Sequence, residues 1–353
     1  MYLKKKILVA PLNWGLGHAT RCIPIIEALE NHGYEPVIAS NGAALELLKK
    51  EFPLLTALEL PEYHIEYAKN GAFFKLKMLL QMPRMFMTVH RENKTVCGFV
   101  KEYGLSGIIS DNRLGAFCKS VPSVFITHQL NLLTGNTTRL TSKIHSFFVK
   151  RYLECWVPDV AGNRNLSGKL GHTEDEILNL KYIGPVSRLH KRATEKKYNL
   201  MVLLSGPEQH RALLEEKLRK ELINYTGKVI FIRGFVEQVE KVTQADNITY
   251  YNFMNTADLE QAFNESEMVL CRPGYTNVMD LAKLGKKAFF IPTPEDAEQI
   301  YLAKKLKRCN MAPFATQKAF KISDLAKTDM YKGLKNIECT IKWKDLFSLF
   351  EGK

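Results

Sequence analysis

The chain has 353 residues, 46% hydrophobic and 25% charged, proportions that exclude a disordered chain and supply apolar material for more than one core. No run approaches the roughly 18–20 apolar residues of a spanning helix, and Lys4-Lys5-Lys6 leads straight into Ile7-Leu8-Val9 without a signal-peptide pattern, so a cytoplasmic protein is expected. The net charge is +13, with +6 over residues 1–160 and +7 beyond, a spread that suits plain solubility, a polyanionic ligand, nucleic acid or an anionic membrane surface.

In chain order, the apolar runs predict strands at 7–11, 35–40, 54–60, 107–111, 123–127 and 155–157, with helical patterns at 18–31 and 42–50. The pattern lapses over 159–197, which carries Gly162, Gly168, Gly171, Gly184 and Pro185 and then a charged run, and reads as a linker. It restarts with strands at 198–204, 228–233, 247–253, 267–271 and 287–291, and helices at 208–224, 258–264, 276–284 and 295–307. Strands alternating with helices imply parallel sheets with crossover helices. The expectation is α/β: two Rossmann-like, doubly wound domains facing across a cleft, 1–158 and 198–335. A terminal helical segment, 336–353, follows and is expected to return to the first domain. The seven cysteines form no CxxC pair, which argues against a disulfide framework or a zinc knuckle.

The first strand runs into Asn13-Trp14-Gly15-Leu16-Gly17-His18. Gly15 and Gly17 let the backbone turn tightly, and the helix that follows offers free N–H groups to an anion. A dinucleotide fingerprint is disfavoured, because Thr20 stands where a third glycine belongs and the second strand ends in Ser40-Asn41 instead of an acid. There is no GxxxxGK[ST] run, so a P-loop is excluded. His18 reads either as a backbone-bonding residue or as a general base, the helix dipole favouring its neutral form. Asp111 ends the fourth predicted strand and reads as a helix cap or as the group that orients His18. In the second half, Ser205 and Gly206 repeat the strand–glycine–helix turn. Cys271-Arg272-Pro273-Gly274 leads into a helix carrying Asp280, whose carboxylate suits two vicinal hydroxyls; Glu298 and Gln299 follow the next strand as an acceptor–donor pair.

These motifs resemble the two-Rossmann-domain (GT-B) glycosyltransferases, in the branch of the peptidoglycan lipid-linked N-acetylglucosaminyltransferases (family 28). Over 271–299 the family pattern is serine-arginine-x-glycine, an acid six residues later, a proline, and an acid or amide before glutamine; here Cys271 replaces the serine, Asp280 a glutamate and Asn277 a threonine. The resemblance implies a UDP-sugar donor and no cofactor. It implies that Asp280 meets the ribose, that Gly274 with Arg272 is part of the diphosphate turn, that Ser205 and Gly206 meet the diphosphate, that Phe253-Met254 read the base, and that Glu298 and Gln299 meet the sugar. The chemistry expected is transfer to an unidentified hydroxyl, with inversion, His18 as base and Asp111 behind it. No DxD motif occurs, so no metal is expected.

The stretch 71–94 mixes large apolar residues with five Lys/Arg and one acid, Glu92. It reads as a core helix with a basic edge broken at Pro83, or as an interfacial segment on an anionic membrane. The related enzymes dock through the amino-terminal domain, so peripheral contact with the inner membrane face and a lipid-linked acceptor are carried as expectations; nucleic acid is not an expected partner. The rival readings are a nucleotide-sugar 2-epimerase of the same fold and a non-catalytic nucleotide- or lipid-binding protein.

Overall fold

The computed structural model describes residues 4–63, 74–133, 138–173, 179–235, 237, 239–334 and 340–352, with backbone alone over 74–82 and 139–140. The first half builds β1 (Lys6–Pro11), α1 (Gly17–Asn31), β2 (Glu35–Ser40), α2 (Gly42–Glu51), β3 (Ala57–Glu59), α3 (Phe74–Tyr103), β4 (Leu105–Asp111), β5 (Ser123–Ile126), α4 (Thr138–Val149), β6 (Glu154–Val157) and β7 (Leu180–Tyr182). The described strands form a parallel sheet in the order β3-β2-β1-β4-β5-β6-β7. The second half builds β8 (Tyr198–Leu203), α5 (Glu208–Leu222), β9 (Val229–Ile232), β10 (Val242–Ala245), β11 (Ile248–Tyr251), α6 (Thr256–Glu265), β12 (Ser266–Cys271), α7 (Tyr275–Leu284), β13 (Lys287–Phe290) and α8 (Ala297–Arg308). Its sheet runs β10-β11-β9-β8-β12-β13, parallel except at the β10–β11 edge.

Strands such as β1 are buried on both faces, which is why they read as continuous apolar runs. Ile7 and Val9 face a core shared with α1 and α2, while Leu8 and Ala10 face Val96 and Val100 of α3. In the second sheet Met201 and Val269 face α6, α7 and α8, and Leu200 and Val202 face α5. Each sheet therefore has helices on both sides, the arrangement that places ligands where the strand order reverses. That point lies between β1 and β4 in the first sheet, and between β8 and β12 in the second.

Several expectations change. The strand expected over 54–60 shrinks to Ala57–Glu59, because Pro53 precedes a turn that leaves Leu54 exposed. Leu180–Tyr182, read as linker, pairs with β6 and completes the first sheet. The helix carrying the 71–94 stretch is not broken at Pro83: α3 is a 30-residue helix running through it. Residues 71–73, and the side chains of 74–82, lie outside the described set. The terminal segment expected over 336–353 is described from residue 340, where α9 (Trp343–Phe347) begins a short helical run. It lies on the first domain: Phe347 packs edge-on against Tyr34, whose hydroxyl donates to the Phe347 carbonyl at 3.1 Å. A Cβ on Gly107 of β4 would come 2.3 Å from the Phe350 ring, so only glycine fits beneath it.

Candidate active site

Both reversal points carry the residues singled out in the sequence. In the first domain, Gly15 turns the loop at φ +67°, and α1 starts at Gly17 without a side-chain cap, leaving its first N–H groups for a ligand. His18 Nδ1 lies 2.8 Å from Asp111 Oδ1. Asp111 is fully buried at the end of β4, and Asn112 after it takes a left-handed φ of 59°, strain of the kind that collects at functional sites. A carboxylate only accepts, so the His18 tautomer with its proton on Nδ1 pairs with Asp111 and turns Nε2 into an acceptor.

Arg21, one turn further along α1, is also buried. Its Nε donates to Asp111 Oδ2 at 2.6 Å and its Nη2 to Oδ1. Burial alone would raise the Asp111 carboxyl, but Arg21 and His18 outweigh it and hold the group well below the usual carboxylate range. Arg21 Nη2 is also 2.7 Å from His18 Nδ1; both are donors, and both converge on the same carboxylate.

In the second domain, Gly206 turns at φ +96° beside Ser205, and α5 follows without a side-chain cap. Gly274 caps α7 with open space around it, and Asn277 Nδ2 ties that turn to the Arg272 carbonyl at 3.0 Å. In Arg272, Nη1 donates to the Ile291 and Pro292 carbonyls, each at 3.0 Å, and Nη2 to the His210 carbonyl and Gln317 Oε1 at 3.1 and 2.8 Å, while Nε is buried without a partner among the described residues. Burial pushes the guanidinium down to about 10. Arg272 thus ties the turn at Gly274 to the loop after β13, and the uncapped starts of α5 and α7 present backbone N–H groups beside it.

Asp280 is buried on α7 and accepts from Ser187 Oγ at 2.6 Å; burial pushes its carboxyl up to about 6 against the opposing pull of Ser187 and Arg188. Phe253 and Met254 follow β11: the Phe253 N–H is taken by Asn252 Oδ1 at 2.9 Å, and Met254 packs on the second-domain core. Gln299 turns its Oε1 back to the Thr293 N–H at 2.9 Å, bracing the loop before α8. Glu298 reaches across to the first domain, where its Oε1 meets His128 Nε2 at 2.9 Å and its Oε2 accepts from Gln129.

Residues 202–338 match the glycosyltransferase family 28 C-terminal domain. The chain is 25% identical over 315 residues to the UDP-N-acetylglucosamine–N-acetylmuramyl-(pentapeptide) pyrophosphoryl-undecaprenol N-acetylglucosamine transferase of Haemophilus ducreyi, covering 85% of this chain and 81% of that one. The enzyme of the same name from Glaesserella parasuis is 27% identical over 337 residues, 92% of this chain and 89% of that one. In solved structures, Acinetobacter baumannii MurG superposes with a TM-score of 0.58 at 13% identity, covering 99% of each chain. A calicheamicin glycosyltransferase superposes with a TM-score of 0.62 at 11% identity, over 93% of this chain and 89% of that one.

The chain is a glycosyltransferase of GT-B fold whose second domain matches the family 28 C-terminal domain.

The two domains of the glycosyltransferase touch at the heart of the site. Thr276 Oγ1 donates to the Gly17 carbonyl at 3.2 Å, and a Cβ on Gly17 would sit 2.8 Å from that hydroxyl, so the contact needs glycine. Tyr275 stacks on His128 with centroids 4.3 Å apart, and its hydroxyl donates to the Pro158 carbonyl at 2.9 Å. Sequence reasoning missed Arg21, His128, Gln129, Ser187 and Tyr275. Arg21 carries a usable signal, since it follows His18 by three residues on one helix and shares its face. His128 and Gln129 stand just beyond the end of β5, on the rim where Asp111 was found. Among the described residues, no cluster of three or more His, Cys, Asp or Glu is placed to hold a metal ion.

Proposed function

We propose that this glycosyltransferase moves a sugar from a UDP-sugar to a hydroxyl acceptor by a single inverting displacement without a metal ion. The observation that carries the reading is the His18–Asp111 pair at the reversal point of the first sheet, facing the glycine turn of the second across the Gly17–Thr276 contact. The acceptor oxygen attacks the anomeric carbon, its proton passes to His18 Nε2, and the bond to the β-phosphate breaks with its electron pair leaving on the nucleoside diphosphate. Asp111 orients the imidazole and offsets its positive charge once it is protonated. Charge developing on the leaving group is met by the N-terminal N–H groups of α1, α5 and α7 at Gly15, Gly17, Ser205, Gly206 and Gly274, fixed dipoles that need no reorganisation. Asp280 accepts the ribose hydroxyls, Phe253 and Met254 border the base, and Glu298 with Gln299 meets the sugar. Absence of a DxD motif supports the metal-free reading.

The names of the relatives point to UDP-N-acetylglucosamine as donor and a lipid-linked acceptor. The first domain supports the acceptor role with a cavity of about 620 Å³ at the carboxyl ends of β2 and β3, lined in part by Asn41, Gly42, Glu59 and Thr95. On this reading the enzyme works at the cytoplasmic face of the membrane. Transfer from UDP-N-acetylglucosamine should be measured with lipid-linked and simple hydroxyl acceptors, and His18→Ala should lower the rate about 100-fold or more. Near-normal transfer by His18→Ala sinks the base assignment. Conversion of the donor alone to an epimer makes the protein an epimerase, and no calorimetric heat with nucleoside diphosphates makes it a non-catalytic protein.

A further inference from the structure

We propose that His128 and Gln129 of the first domain are positioning residues that hold the Glu298 carboxylate of the second domain as a two-oxygen acceptor for the donor sugar. The inference rests on the reading of Glu298 as a sugar ligand, and goes beyond it by making the sugar site a product of both domains.

The proton inventory supports a single arrangement. Burial works against the charge of Glu298, but His128 beside it holds the carboxyl below its usual range, so both oxygens accept. His128 is buried, and burial favours its neutral ring against the pull of Glu298. Its Nε2, 2.9 Å from Glu298 Oε1, must therefore carry the ring's one proton, leaving Nδ1 as acceptor. Nδ1 faces Arg21 Nη1 at 3.3 Å, and a guanidinium only donates. Arg21 thus selects the tautomer of His128 with one nitrogen while gripping Asp111 with the other two. The ring cannot turn away, because it lies parallel to Tyr275 within 2° and Tyr275 is anchored on Pro158. Gln129 completes the hold: its own N–H donates to Thr127 Oγ1 at 3.0 Å, and its side-chain amide donates to Glu298 Oε2.

Each carboxylate oxygen then has one protein donor and a lone pair to spare. A glutamate in the first turn of a helix would otherwise be free to rotate, and ordering it would weaken sugar binding. The residues assigned to the nucleotide, Asp280, Ser205, Gly274 and Phe253, all lie in the second domain and touch neither His128 nor Gln129 in any described contact. The physical consequence is a split: loss of the positioning pair should weaken recognition of the sugar and spare recognition of the nucleotide. If His128 instead competed with the sugar for Glu298, its loss would strengthen sugar binding.

The test is calorimetry of UDP, UDP-glucose and UDP-N-acetylglucosamine with the whole chain and three variants. His128→Phe keeps the stack on Tyr275 and removes both nitrogens; Gln129→Met keeps length and removes the donor; His128→Gln returns an N–H. We expect the Kd for UDP to stay within about twofold while that of the preferred nucleotide sugar rises about tenfold in His128→Phe and Gln129→Met, with partial recovery in His128→Gln. Steady-state kinetics should show the same loss in donor KM. Gln129 is only half-buried, so Gln129→Met keeps the idea testable should His128→Phe fail to fold. Unchanged or tighter sugar binding by folded variants overturns the inference alone. A wild-type protein that binds no nucleotide sugar overturns the donor reading and the inference together.

Discussion

At the scale of single residues, burial decides what the charged groups can do. Asp280 is the clearest case, because burial pushes its carboxyl up to about 6, above the ~3.9 of an unfolded chain. The sign follows from proton counting. Between these two values the folded state binds the extra proton, so this group adds stability as pH falls through 6 and subtracts it as pH rises. On the proposed assignment of Asp280 to the ribose, recognition runs the other way, since only the carboxylate accepts from two hydroxyls. The affinity for UDP should therefore fall as pH drops below about 6, and Asp280→Asn should bind weakly with no step there; calorimetry across pH 5–8 checks both. Arg272 teaches the complementary lesson. A guanidinium whose terminal nitrogens are committed to carbonyls and an amide shapes a loop, whatever its place in a motif.

At the scale of elements, helices were read best where an amphipathic stripe stood between two strands, as in α1, α5 and α7. The glycine turns before them were legible because a strand, a turn and a helix start leave their mark within a few residues. The short edge strands were not legible: β7 has three residues and no fully buried position, and its pairing with β6 is a long-range event. β10 is exposed throughout and exists only as the antiparallel partner of β11. The terminal segment behaves as part of the first core, since Phe347 is 1% exposed and packs against Tyr34, His32 and Trp156. Phe347→Ala should cost about 3 kcal/mol or more in urea unfolding through lost burial and a cavity. A negligible loss would mean that the segment rests on the first domain without supporting it.

For the whole molecule, part of the cationic excess behind the +13 charge stands near an exposed apolar patch. Phe86 and Met87 of α3 are exposed, and Phe147 of α4 is exposed beside them, with Phe86 5.4 Å from Phe148. Arg151 lies over the rings of Phe117, Phe147 and Phe148, and Arg84, Arg91 and Lys94 line α3. An exposed apolar patch bordered by cations suits an anionic bilayer surface. Among the described residues no helix is long and apolar enough to cross a membrane. The protein should pellet with anionic vesicles at low salt and release as salt rises, and a Phe86→Glu, Met87→Glu double variant should remain in the supernatant. Equal binding to neutral vesicles would argue against the role of charge.

Read by itself, the sequence determined the two doubly wound domains, the glycine turns, Asp111 as a polar residue on a strand end, and His18, Asp280, Glu298 and Gln299 as polar residues on the helices that follow strands, because parallel strands and helix starts are local patterns of apolarity and turn chemistry. Only the tertiary structure decided what those residues touch. Arg21 bridges Asp111 and His128, Glu298 is held from the opposite domain by His128 and Gln129, and Arg272 faces carbonyls. Each of these contacts joins residues at least 19 positions apart in the chain. Burial and hydrogen-bond partners at that range depend on how the sheets and helices pack, which no local pattern contains.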